Sequence, residues 1–167
     1  MKRISLTLCL AFLTVLFCQA QVAPLKFNKN GEFKIVQFTD IHFQYHNPAS
    51  AIALKRINEV LDAERPDLIV FTGDVVYAPP ADTAMRAVLD CASSRKIPFV
   101  VTFGNHDNEQ GKTRAELYDI IRSMPYNIQP DRGSVESPDY VLTVKSSDGK
   151  KDASVLYCLD SHSYSQL

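Results

Sequence analysis

Apolar residues cluster in short runs separated by polar loops, and the loops alternate with stretches of helical period. The run FKIVQFT at 33–39 predicts a strand. The preceding LKFNKNGE, with Asn30-Gly31 suited to a tight primed turn, predicts that this strand is one arm of a hairpin. Asn47-Pro48 has the form of an N-cap followed by proline at the first helical position. The helix it opens places Ala53, Ile57, Val60 and Leu61 on one face and ends at Pro66. DLIVFT at 67–72 is almost wholly apolar, as a strand buried on both faces must be. Met85, Val88, Leu89 and Ala92 line one face of a second helix. PFVVTF at 98–103 is a third strand of the buried kind. Thr113 and Glu116 form a capping-box pair that opens a helix running to about Ser123. A loop-like stretch follows, with prolines and Gly133. YVLTVKS and ASVLYCLDS, flanking SDGKK, then predict a closing strand pair.

This strand–loop–helix repetition favours a largely parallel sheet with helices packed on it, in a single α/β domain. Ligands of such sheets bind beyond the carboxyl ends of the strands. Those ends carry the chain's concentrated chemistry: DIH at 40–42, GD at 73–74 and GNHD at 104–107. Asp74 lies 34 residues after Asp40, and Asn105 lies 31 after Asp74, about one repeat unit each. Adjacent parallel strands therefore bring all three clusters to one rim. Singly, each is an ordinary turn former or loop dipeptide. Together they would require three unrelated turns to gather acids, imidazoles and an amide at the same end of consecutive strands.

Carboxylates, imidazole nitrogen and an amide oxygen suit borderline-hard metals such as Mn, Fe or Zn. No cysteine accompanies them, which argues against a structural zinc site. An aspartate between two cations gives one oxygen to each, and a metal pair about 3.5–4 Å apart clamps both oxygens of a phosphoryl displacement. His106 is placed to protonate a leaving alkoxide, with Asp107 as the partner that fixes its tautomer.

In this order and on these strand ends, DIH, GD and GNHD resemble the first three signature blocks of the calcineurin-like metallophosphoesterases. QFTDIHF, DLIVFTGDVV and LDSHSYS look like the secreted, purple-acid-phosphatase-like bacterial branch. The resemblance implies a four-layer α-β-β-α sandwich and two divalent or mixed-valence metal ions (Mn, Fe or Zn). It implies hydrolysis of phosphomonoesters or phosphodiesters by metal-activated water. It assigns Asp40 and His42 to the first metal, Asp74 to the bridge, Asn105 to the second metal, and His106 with Asp107 to catalysis. Tyr77, three residues after Asp74, is left between two roles, a ligand and a pocket wall. The later family blocks, a lone histidine and a GHxH pair, have no counterpart: His162 is the only histidine after GNHD, and it and His46 are expected to be non-ligands. The chain is thus expected to be the N-terminal half of the sandwich. The alternative is a truncated, catalytically incomplete exported binding module. There is no GxSxG elbow to support a serine hydrolase.

Composition adds location and excludes one partner. A positive start (MKR), the apolar ISLTLCLAFLTVLF and the small-residue ending before Gln21 form the pattern of a secretory signal peptide over residues 1–20. The apolar run is short of the roughly 20 residues of a membrane span, so export without a stable span is expected. Residues 21–167 form the domain. Removing Lys2 and Arg3 leaves 16 basic against 19 acidic residues, a formal charge of −3, which argues against nucleic acid as a main partner. Cys91 and Cys158, alone in apolar contexts, are expected as buried thiols.

Overall fold

A computed structural model describes residues 22–164. The predicted signal peptide lies outside them. The elements are β1 (Ile35–Phe38), α1 (Ala51–Glu64), β2 (Leu68–Thr72), α2 (Ala81–Ser93), β3 (Phe99–Thr102), α3 (Arg114–Arg122), β4 (Tyr140–Lys145) and β5 (Asp152–Cys158), with short 3₁₀ turns at Pro48–Ser50 and Asp107–Glu109.

The first three strands form a parallel sheet in the order β1-β2-β3, with Gln37 opposite Val70 and Val70 opposite Val100. Alternate residues of β2 and β3 point to opposite faces, and both faces are covered. On one side Ile69, Phe71, Phe99 and Val101 pack under all three helices, against Leu61, Met85, Leu89, Leu117 and Ile121. On the other, Leu68 and Val100 meet Tyr140, Leu142 and Val144 of the antiparallel β4–β5 pair. This double burial explains the unbroken apolar runs of β2 and β3. The result is helix, sheet, sheet, which is an α/β architecture containing three of the four layers expected. The outer face of the β4–β5 pair leaves Val141, Val155 and Tyr157 exposed.

The helices follow the local rules. Asn47 caps the 3₁₀ turn that leads into α1, its side chain accepting from the Ala49 N–H at 3.0 Å. Arg65 closes α1 in the left-handed conformation just before Pro66. Thr113 and Glu116 make both hydrogen bonds of the capping box on α3. Met85, Val88, Leu89 and Ala92 are fully buried on α2. On α1, Leu54 rather than Val60 joins the core, because the buried stripe of that helix is narrow.

The predicted N-terminal hairpin does not form. The turn at 28–32 exists, with the Asn28 side chain accepting from the N–H groups of Asn30 and Glu32. Its two arms then part. Lys26 bridges in parallel to Lys145 of the second sheet, while β1 pairs with β2. Phe27 and Phe33, with ring centres 5.9 Å apart, pack together under the second sheet. Burying that pair against β4 outweighs continued pairing across the turn. The outer edge of β3 is covered by residues 127–129: Ile128 N–H donates to Phe99 O, and the Gln129 side-chain oxygen accepts from Val101 N–H. Cys91 and Cys158 are both buried free thiols.

Candidate metal centre

The loops leaving β1, β2 and β3 meet at the carboxyl rim of the sheet. After β1 the chain continues alongside the loop after β2, with Asp40, His42 and Phe43 donating their N–H groups to the carbonyls of Gly73, Asp74 and Val75 at 2.9–3.1 Å. The loops after β2 and β3 approach more closely still. A β-carbon on Gly73 would lie 2.6 Å from the Gly104 nitrogen, and one on Gly104 would lie 2.1 Å from Asp74 Oδ1. Only glycine at both positions permits this backbone contact.

Asp107 locks the junction. It is fully buried. Its Oδ1 accepts from the N–H groups of Val75 (2.8 Å) and Val76 (3.1 Å). Its Oδ2 accepts from those of Asp74 (3.0 Å) and Gly104 (2.9 Å). Burial pushes this carboxyl upward from its ordinary pKa, and the hydrogen bonds from Gly104, Val76 and Val75 pull it partly back. Asp107 is therefore not the expected partner of the His106 ring, since all four of its hydrogen bonds go to main chain. That partner is Glu109, whose Oε2 lies 2.7 Å from His106 Nδ1. The hydrogen bond raises His106 above the ordinary imidazole range and lowers Glu109.

Asp40, His42 and Asp74 converge. One donor atom from each lies within 4.8 Å of the other two. His42 Nε2 is 3.5 Å from Asp74 Oδ2 and 3.8 Å from Asp40 Oδ1. All three residues hold positive φ, at 51°, 48° and 50°. Such backbone costs on the order of 1 kcal/mol or more per non-glycine residue, and it gathers at sites where side-chain direction matters. The donor set fits a divalent cation: two carboxylates and one imidazole balance two positive charges, and coordination distances of about 2.0–2.2 Å need only slight closure of the present spacing. Asp74 is also tied to the next loop, its Oδ1 accepting from His106 N–H at 2.9 Å.

The other predicted residues sit at the same rim. Tyr77 packs between two imidazoles, its ring centre 4.7 Å from that of His42 and 5.1 Å from that of His106. Asn105 adjoins the junction, and its side-chain amide donates to the Tyr164 hydroxyl at 3.0 Å. His46 packs against Tyr45 and is not among the three converging donors.

A family model described as calcineurin-like phosphoesterase matches residues 33–162. The chain belongs to that family. Its relatives include phosphatase DCR2 of Saccharomyces cerevisiae, 30% identical over 82% of this chain and 28% of the yeast protein. Probable inactive purple acid phosphatase 29 of Arabidopsis thaliana is 34% identical over 89% of this chain and 45% of the plant protein. UDP-2,3-diacylglucosamine pyrophosphatase LpxG of Chlamydia trachomatis is 31% identical over 50% of this chain and 25% of that protein. The chain thus spans less than half the length of each of these relatives. The Asp40–His42–Asp74 group supplies donors for a divalent metal, as membership of a metal-dependent family calls for. No helix among the described residues is long and apolar enough to cross a membrane.

Proposed function

We propose that the chain forms the metal-binding half of an exported phosphoesterase that hydrolyses phosphomonoesters or phosphodiesters at a dinuclear site. The observation that carries this reading is the convergence of Asp40, His42 and Asp74 from two strand ends onto one point. Asp40 and His42 would hold the first cation, with Asp74 available to both and Asn105 to the second. When bound, such cations (Mn, Fe or Zn) would supply Lewis acidity and lower the pKa of a water. Asp107 holds the loops after β2 and β3 at the separation this requires. His106, whose ring is held by Glu109 and whose pKa that contact raises, would donate a proton to the ester oxygen as the phosphorus–oxygen bond breaks. Tyr77 fixes the imidazole planes and shields one side of the pocket. The leader pattern supports export, and the plant relative named a purple acid phosphatase supports placement near that branch.

The test is elemental analysis of the full-length protein together with hydrolysis of an aryl phosphate. Stoichiometric transition metal and metal-dependent turnover are expected, and the absence of either would overturn the reading. Asp74→Asn should abolish turnover with loss of metal, whereas His106→Asn should lower kcat and spare metal content.

A second reading, a binding module without turnover, is favoured by the sparse second site, for which Asp74 and Asn105 are the candidate donors among the described residues, and by the plant relative's name as probably inactive. Full metal loading and phosphate binding without hydrolysis would select it.

A further inference from the structure

The stretch at 160–164, just after β5, lies against the loop after β3 and takes no part in the roles assigned above. Its anchor is a buried ion pair between Arg114, the first residue of α3, and Asp160; both side chains are almost wholly buried. Burial pushes the Asp160 carboxyl up, but Arg114 and its other hydrogen-bond partners outweigh it and hold it below its ordinary value. The same guanidinium donates to Gly104 O at 3.0 Å, Asn108 Oδ1 at 3.3 Å and Ser163 Oγ at 3.4 Å, and lies over the Phe103 ring. Asp160 also accepts from His162 N–H, and Ser163 donates to Asn108. One buried cation thus joins the strand end that carries GNHD to the segment that carries Tyr164.

Tyr164 is largely exposed, so apolar burial does little to hold its ring. Its hydroxyl accepts from Asn105 Nδ2 at 3.0 Å and donates to Glu109 Oε1 at 3.2 Å. Glu109 Oε2 meets His106 Nδ1. The chain of bonds runs Asn105, Tyr164, Glu109, His106. A carboxylate accepts only, so the phenol proton is committed to Glu109 and the phenol oxygen must accept from Asn105. That fixes which end of the Asn105 amide faces Tyr164: the NH₂ end, which leaves the carbonyl oxygen free as a ligand.

We propose that Tyr164, anchored through the Arg114–Asp160 pair, is a positioning residue that sets the amide orientation of Asn105 and the placement of Glu109 against His106. The proposal rests on the phosphoesterase reading for its consequence in catalysis, but not for its consequences in metal affinity and loop order.

The experiment compares wild type with Tyr164→Phe in the full-length protein. Phenylalanine keeps the ring and removes both bonds. Three quantities are measured: Mn²⁺ affinity by titration, amide hydrogen exchange across 104–109 and in β2, and kcat and KM for an aryl phosphate. Partners standing behind a metal ligand typically contribute about 10–100-fold to affinity, so the weaker Mn²⁺ site should lose about tenfold. Exchange should quicken at 104–109 and stay unchanged in β2, and kcat should fall more than KM changes. The double variant Arg114→Met with Asp160→Leu, which removes both buried charges together and so keeps the core apolar, should reproduce the loop and affinity effects. Conservation of both Mn²⁺ affinity and loop exchange in Tyr164→Phe would overturn the proposal, as would equal acceleration in β2. A wild type that binds Mn²⁺ but hydrolyses nothing would overturn the phosphoesterase reading alone, because affinity and exchange would still decide the role of Tyr164.

Discussion

The two sides of the candidate centre are built differently. On the side of β2 and β3, Asp74 and Asp107 are buried, two glycines bring their backbones into contact, and one carboxylate gathers four N–H groups from two loops. On the side of β1 the main chain is equally well paired, yet Asp40 leaves its side chain open to solvent and His42 is only half-buried. The buried side is finished by the fold itself. The open side has its donors in place, held by the neighbouring Thr39 hydroxyl on Asp40 and by the Asp74 carboxylate and the Tyr77 ring beside His42. An aspartate inside such a motif can therefore be scaffold or ligand, and its hydrogen-bond partners tell which.

The largest effect should come from breaking the buried side. Asp107→Asn replaces one acceptor oxygen by a donor, so two backbone N–H groups face an NH₂ whichever way the amide turns. Each buried unsatisfied donor costs about 1–3 kcal/mol, so urea unfolding should show a loss of about 2–6 kcal/mol. Gly104→Ala comes next. Its methyl collides with Asp74, and overpacking of this kind costs about 1–3 kcal/mol. Metal binding should fall with stability in that variant, because Asp74 must move.

Asp40→Asn probes the open side and should separate the two properties. Asparagine tolerates the positive φ found there, so stability should stay within about 0.5 kcal/mol. Removing a ligand charge should nevertheless weaken Mn²⁺ binding at least about tenfold. A stability loss comparable to that of Asp107→Asn would erase the contrast between the two sides.

The smallest effect is on pH dependence. Glu109 raises the pKa of His106, so Glu109→Gln lowers it. A histidine acting as proton donor is then lost at lower pH, and the alkaline limb of the kcat profile should move to lower pH with its acid limb unchanged. An unmoved alkaline limb would remove His106 from the donor role.

Local pattern sufficed for most of the fold. Strands buried on both faces show unbroken apolar runs, the capping box of α3 lies within four residues, and the rim that gathers Asp40, His42 and Asp74 follows from parallel strand order. What local pattern could not reach was decided by distant partners. The turn at 28–32 carries hairpin residues, yet its first arm pairs with Lys145, far along the chain. Asp107 sits beside His106 in sequence, yet its side chain turns inward to main-chain groups about thirty residues away. Glu109, three residues from His106 across a 3₁₀ turn, was within reach of spacing arguments. Arg114, Asp160 and Tyr164 were not, since their meeting depends on how β5 returns to the rim.

Paramagnetic broadening by substoichiometric Mn²⁺ in isotope-labelled protein tests the convergence most directly. Resonances of Asp40, His42 and Asp74 should vanish first, followed by those of His106 and Tyr77, while the exposed acids Asp131 and Asp148 stay sharp. Broadening that begins at those other exposed acids, or spreads evenly over the surface, would mean that the three side chains do not form a metal site.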